Sequence, residues 1–286
     1  MTKTRNISDL LDANGDVKSG ALDNVANAVA PTRHSIRPSL NLDFANSKEL
    51  DPRITFTRAS NATYYDGYTS VKAEENLLKY SQEFDNAEWS KSRSSISANQ
   101  TTAPDGTTTA DEFIEDTSNN SHRLFKISDL SIDTSKTYTQ SVFVKANTRD
   151  AIYMRTGIGN SDSNAVKFDV GTQTTTNVGL GADSSSITDV GNGWYRCSMT
   201  FSPTGGFPPY IGLLDGSGNI VYTGDGSSLY IWGLQFEQRD SLTAYTPTTD
   251  APITKYQPAL QTAGNNVARF DHNPTTGESL GLLIEE

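Results

Sequence analysis

Asp189-Val-Gly-Asn-Gly-Trp-Tyr-Arg-Cys-Ser-Met-Thr-Phe201 is the stretch that decides the fold. The turn residues Gly191-Asn192-Gly193 launch a run that alternates strictly. Tyr195, Cys197, Met199 and Phe201 point one way, and Trp194, Arg196, Ser198 and Thr200 the other. A period of two over the run marks a half-buried strand, because successive side chains of an extended chain fall on opposite faces. The first set is the core face. The second is polar with one indole, and is expected to be solvated or to lie in a groove. A second such stretch is Tyr222–Glu237, in which Tyr-Thr-Gly-Asp-Gly-Ser-Ser leads into Leu-Tyr-Ile-Trp-Gly-Leu-Gln-Phe-Glu. Asp225-Gly226 supplies the positive φ of a tight turn, and a strand follows. The two runs read as closing strands of one β-sandwich.

The rest of the chain fits that frame. Ala110–Glu115, His122–Ile127, Tyr138–Ala146, Ala151–Ile158, Val166–Val170 and Ile187–Val190 are strand candidates. Pro208-Pro-Tyr-Ile-Gly-Leu-Leu runs into the turn Asp215-Gly-Ser-Gly-Asn219, and Asn76–Trp89 opens the sandwich. Nearer the start, Ser39–Phe44 and Ile54–Arg58 alternate around an Asp51-Pro52 turn, and Asp66-Gly67 marks another turn. After Tyr245 the chain is proline-rich through Pro258, and it closes on the apolar run Leu280–Ile284. Many short strands with almost no helical periodicity predict an all-β protein, a β-sandwich of jelly-roll type.

Composition agrees. Hydrophobic residues make up only 35% of the 286, while Thr, Ser, Asn and Gly abound, as suits a sandwich with polar outer faces. The net charge of −11 would repel a phosphate backbone, which sets nucleic acid aside. No apolar run approaches the ~18 residues of a membrane span, so no membrane insertion is expected, and no secretion signal follows Met1. Cys197 is the single cysteine. On the core face it reads as a small buried hydrophobe rather than a catalytic thiol, and no internal disulfide is possible.

The first residues stand apart. Ile7, Leu10 and Leu11 form one short apolar cluster and Leu22, Val25 and Val29 a second, with a glycine-bearing turn between. This is too little apolar surface to order alone, and residues 1–38 are expected to be a docking arm, extended or short-helical, that orders against a partner. Asp12-Ala-Asn-Gly-Asp16 fails as a calcium loop, because Val17 stands where that loop needs Gly and Asp23 where it needs Glu.

Signals for catalysis are weak. His34, His122 and His272 lack metal-ligand spacing, and neither a Gly-x-Ser-x-Gly elbow nor a phosphate loop is present. Asp111, Glu112, Glu115 and Asp116 could hide a glycosidase pair, but they read better as carboxylates of a solvated strand, and no enzyme is expected. Sugar binding fits better, since it uses exposed aromatic faces beside hydrogen-bonding groups. Trp194 with Arg196, and Tyr153 with Arg155, are the candidate glycan-facing pairs. The opposing reading packs Trp194 under a loop and pairs Arg196 with a nearby acid.

Several phrases carry a resemblance. NLLKYSQEFDNAEWSK (76–91), APDGTTTADEF (103–113), YTQSVFVKA (138–146), VGNGWYRCSMTF (190–201), YTGDGSSLYIWGLQFE (222–237) and YTPTT (245–249) together resemble the carbohydrate-binding-like jelly-roll module of bacteriophage structural proteins. Residues 39–67 and 265–286 resemble a companion unit of those proteins, and 4–26 a leader of marine and cyanobacterial phage appendage proteins. In similar proteins the two companion phrases run together, whereas here the sandwich separates them. The domains expected are therefore the arm (1–38), a small β unit in two halves (39–74 and 248–286), and an inserted jelly roll (75–247). The resemblance implies a structural virion component such as a tail fibre, appendage or adaptor. Its partners would be other virion proteins and its own copies, with a trimer favoured. The alternative is a receptor-binding lectin for a host surface glycan, and the third a polysaccharide depolymerase. No cofactor is implied, although similar sandwiches carry a structural calcium, which Glu83 or Asp85 could serve.

Overall fold

The structure, a computed structural model, describes residues 42–126, 130–155, 164–205 and 209–284. Its strands in chain order begin with β1 (Ala62–Asn76), β2 (Trp89–Ser92), β3 (Ser94–Thr101), β4 (Ala110–Glu115), β5 (Asn119–Asn120) and β6 (Arg123–Lys126). There follow β7 (Tyr138–Lys145), β8 (Ala151–Arg155), β9 (Ala165–Asp169), β10 (Thr174–Val178), β11 (Ser184–Gly191) and β12 (Trp194–Phe201). The last are β13 (Tyr210–Leu213), β14 (Tyr222–Thr223), β15 (Ser228–Glu237), β16 (Ile253–Ala263), β17 (Phe270–His272) and β18 (Ser279–Leu282). The one helical element described is a single turn, Phe44–Ser47.

Two antiparallel sheets make an all-β sandwich. Sheet I has the order β10-β9-β8-β13-β6-β2, and sheet II the order β11-β12-β7-β15-β4-β3. The alternation of β12 sets the packing. Cys197, Met199 and Phe201 join Val142 and Val144 of β7 in the core, where they meet Ile152, Met154, Val166 and Phe168 from sheet I. Tyr195 packs at the margin of that core. The Gly191-Asn192-Gly193 turn feeding β12 has positive φ at all three residues (90°, 56° and 77°), which glycine and asparagine adopt at least cost. In β15 the ladder to β7 shifts between Trp232 and Gln235, with Gly233 at φ +61° between them. That shift returns Leu234 and Phe236 to the core, where an unbroken period of two would have turned Gln235 and Glu237 inward.

The outer faces are not bare. On sheet II, Phe143, Trp194 and Trp232 cluster with Ala103 and Ala110. On sheet I, Ala151, Tyr153, Ala165, Tyr210 and Leu214 form a third cluster, flanked by Phe125 and Ile220.

By contacts the chain divides into a continuous unit, Ser70–Gln257, which holds the sandwich, and a unit built from both chain ends, up to Thr69 and from Pro258. In the second unit β17 pairs with β18, and the Phe44 and Phe270 rings lie 6.1 Å apart. Its buried side chains are largely polar. Arg58 donates to the Ala263 and Gly264 carbonyls (2.9 and 2.7 Å), and Arg269 to that of Thr63 (2.6 Å). Strands β1 and β16 pair with each other as a two-stranded ladder.

Three local expectations are corrected. Ile54–Arg58 is not a strand, since Arg58 turns inward to cap carbonyls rather than alternating on a sheet. Phe44 starts a helical turn instead of ending a strand, with Asn46 bonded to the Asp43 carboxylate at 2.8 Å. Asp66-Gly67, expected to be a turn between elements, lies within β1. There the Asp66 carboxylate accepts the N–H groups of Tyr68 and Thr69, and Gly67 (φ +81°) leaves room for the His272 ring, which a Cβ would meet at 2.5 Å.

Candidate functional site

The four side chains expected to face a glycan are all covered. Trp194 does lie on the outer face of β12, but it is 1% exposed. Its indole N–H donates to the Thr102 carbonyl at 3.0 Å, as that of Trp232 does to Thr109 Oγ1, so the segment between these threonines roofs both rings. Arg196 lies over the Phe143 ring and donates to the Thr243 carbonyl (2.7 Å) and Ser141 Oγ (3.0 Å). Burial lowers its pKa, against the pull of Glu237. Tyr153 is fully buried. Its ring lies against Gly212, where a Cβ would come within 2.0 Å, and its hydroxyl is 3.1 Å from that of Tyr210. Arg155 is buried with its guanidinium 4.9 Å from the Tyr210 ring centre. Their burial has a physical reason: each outer face carries its own apolar cluster, and period-two patterning cannot tell such a face from a solvated one.

A larger open concavity of sheet I lies one strand further out than the small one lined by Arg123, Phe125, Arg155 and Tyr210. A groove of about 490 Å³ runs over β8, β9 and β10, with the turn Asp215–Gly218 as its wall. Register builds its floor. Asp169 pairs with Thr174 and Lys167 with Thr176, so these four share the outer face, opposite Val166 and Phe168 in the core. Thr172, Thr174 and Thr176 are exposed, and the hydroxyls of Thr172 and Thr174 are 2.8 Å apart. Lys167 Nζ donates to the Gly218 carbonyl at 2.6 Å, tying floor to wall. The wall is preorganised by Asp215. Burial raises its pKa, but donors from Asn219 and Ser217 prevail and hold it below the usual carboxylate range. Asp150, at the mouth of β8, is exposed. None of the described residues lining the groove is aromatic, so it offers hydrogen-bonding groups and no ring for stacking. Sequence reading missed these residues because TQTTT shows no apolar alternation. The stripe of threonines at every second position was the available signal.

The other candidate groups have structural partners. Asp111 and Glu115 point into the sandwich, 1% and 3% exposed. Glu115 accepts both Arg149 Nη2 (2.7 Å) and Nε (3.1 Å), along with the Tyr222 hydroxyl (2.6 Å) and the Asp225 N–H (2.9 Å). Glu112 accepts Ser228 Oγ at 2.6 Å, and Asp116 accepts the Ser118 hydroxyl. Glu83 and Asp85 are exposed. Beside them the carbonyls of Asp85, Asn86 and Trp89 converge on Lys91 Nζ at 2.9–3.0 Å. Among the described residues no group of three or more His, Cys, Asp or Glu side chains is placed to hold a metal. Ile7, Leu10, Leu11, Leu22, Val25 and Val29 lie outside the described residues.

No family model matches the chain, and no curated protein does. Among solved structures it is similar to the enzymatically active domain of tailspike protein 4 of bacteriophage CBA120, at 13% identity and a TM-score of 0.36 over 56% of this chain. It spans 21% of that domain's chain. It is also similar to TmCBM27, a carbohydrate-binding module of specific mannan recognition, at 12% identity and a TM-score of 0.30, over 60% of this chain and 99% of that one.

Proposed function

We propose that the protein is a component of a phage virion appendage, a tail fibre or adaptor, whose sandwich faces outward and holds a host-surface glycan. The observation that carries the glycan reading is the groove over β8–β10. Its volume of about 490 Å³ falls within the range of small-molecule sites, and its floor of threonine, lysine and aspartate is set by strand register rather than by loops. The virion reading is supported by the phrases that resemble phage appendage proteins. In it, residues 1–38 dock to a neighbouring virion protein and copies of the chain assemble together, as a trimer. The groove binds without chemistry and without a cofactor.

A glycan array probed with the intact protein, followed by reducing-end assay of whatever is retained, tests this. Retention of a subset of glycans without cleavage is expected. Release of reducing ends would move the protein to the depolymerases. Absence of any retention, in a protein still found in purified particles, would leave the structural role alone.

A further inference from the structure

The charge and the open hydrogen-bonding valences of this groove specify a class of glycan, an inference that rests on the reading above. The lining carries three carboxylates, Asp150, Asp169 and Asp215, against the single ammonium of Lys167, a net of two negative charges. Most of these groups are engaged. Lys167 is held by Gly218. Asp215 accepts the N–H groups of Ser217 (3.0 Å) and Asn219 (2.7 Å) and the Asn219 amide (2.9 Å). Asp169 Oδ1 caps the Thr172 N–H at 2.8 Å. Asp150 differs, because its carboxylate makes no hydrogen bond or ion pair with any described residue. Gly171 keeps it clear, since a Cβ there would lie 2.7 Å from Asp150 Oδ2. The Thr176 hydroxyl is likewise unengaged among the described residues.

An ionised carboxylate only accepts hydrogen bonds, so the groove's strongest open valences call for a ligand rich in O–H donors. Two neighbouring hydroxyls of a sugar ring can donate to the two oxygens of one carboxylate, and such charge-assisted bonds are about twice as strong as neutral ones. A uronate, sulfate or phosphate would instead bring a negative charge to a negative groove on a chain of net charge −11. We infer that the groove takes a neutral, hydroxyl-rich glycan segment, gripped through vicinal hydroxyls by Asp150, and rejects acidic polysaccharides.

The test uses the intact protein in titration calorimetry against neutral hexose oligosaccharides and the same backbones carrying uronate or sulfate groups. Neutral probes should bind at least tenfold more tightly. Asp150→Asn, which keeps the shape but offers one acceptor and no charge, should weaken neutral binding at least tenfold with an unchanged melting temperature. Asp150→Lys should invert the ranking. Equal or tighter binding of the acidic probes, or neutral binding indifferent to Asp150→Asn, overturns the inference while leaving glycan recognition intact. If neither class binds, glycan recognition itself falls and the inference with it.

Discussion

Cys197 is fully buried between the two sheets, and desolvation pushes its thiol pKa well above the ordinary range. The thiolate is the reactive form, so the folded protein should resist thiol reagents at neutral pH and label only as it unfolds. Fast labelling under native conditions would contradict the placement. Cys197→Asp should destabilise by several kcal/mol, because a charge would be buried without a partner. Asp111 shows the opposite side of burial. Desolvation raises its pKa from 3.8 to about 6, although the N–H groups of Asn99 and Phe84 donate to it and pull the other way. The folded state therefore holds this proton more tightly than the unfolded chain does. The group's contribution to stability is greatest in acid and is lost as pH rises from about 4 through about 6. Other carboxylates are held low, so the Asp111 effect is read as a difference. The melting temperature of wild type minus that of Asp111→Asn should fall between pH 4 and pH 7. A difference that stays flat across that window rules the effect out.

Strands are legible in this sequence where one face is apolar and the other polar. The run Trp194–Phe201 coincides with β12, because it alternates behind the turn residues that bound it. Strands β3 (SSISANQT) and β10 (TTTNV) escape notice because edge strands with two polar faces lack the signal. The candidate site was harder to find. Whether Trp194 or Tyr153 meets solvent depends on residues far away in sequence, the Thr102 segment for one and β13 for the other, which a local pattern cannot report. Gly212 illustrates this: within a core-like run it reads as a weakness, yet its missing side chain is the space that Tyr153 occupies. Gly212→Ala should therefore cost about 1–3 kcal/mol through overpacking, seen as a lowered urea midpoint with an unchanged slope. A variant as stable as wild type would mean that the ring can swing away, and that the cluster on the outer face of sheet I is loosely packed.

Across the whole molecule, apolar burial is unevenly shared. All three apolar clusters among the described residues belong to the sandwich unit, and the main one draws on both of its sheets. In the unit built from the chain ends the pattern is inverted. Arg58, Arg269 and His272 are buried, while Leu280 is 60% exposed, Leu260 55% and Val267 51%. Its β17–β18 pair is two-stranded, and an isolated two-stranded sheet is marginal in water. Burial of apolar surface is the dominant favourable term of folding, and buried guanidiniums bonded to carbonyls add little after their own desolvation. Local openings of this unit should thus be far less costly than openings of the sandwich. In native-state hydrogen exchange, the amides of β17 and β18 should exchange at least ~100-fold faster than those of β7 and β15, which lie at the centre of sheet II and open only with the whole sandwich. Guanidinium should act in the same order, releasing Phe270 and Leu282 before it exposes Trp194 and Trp232. Matching exchange rates in the two sets would show that the chain unfolds as one cooperative body, with polar burial at Arg58 and Arg269 worth as much as the apolar core.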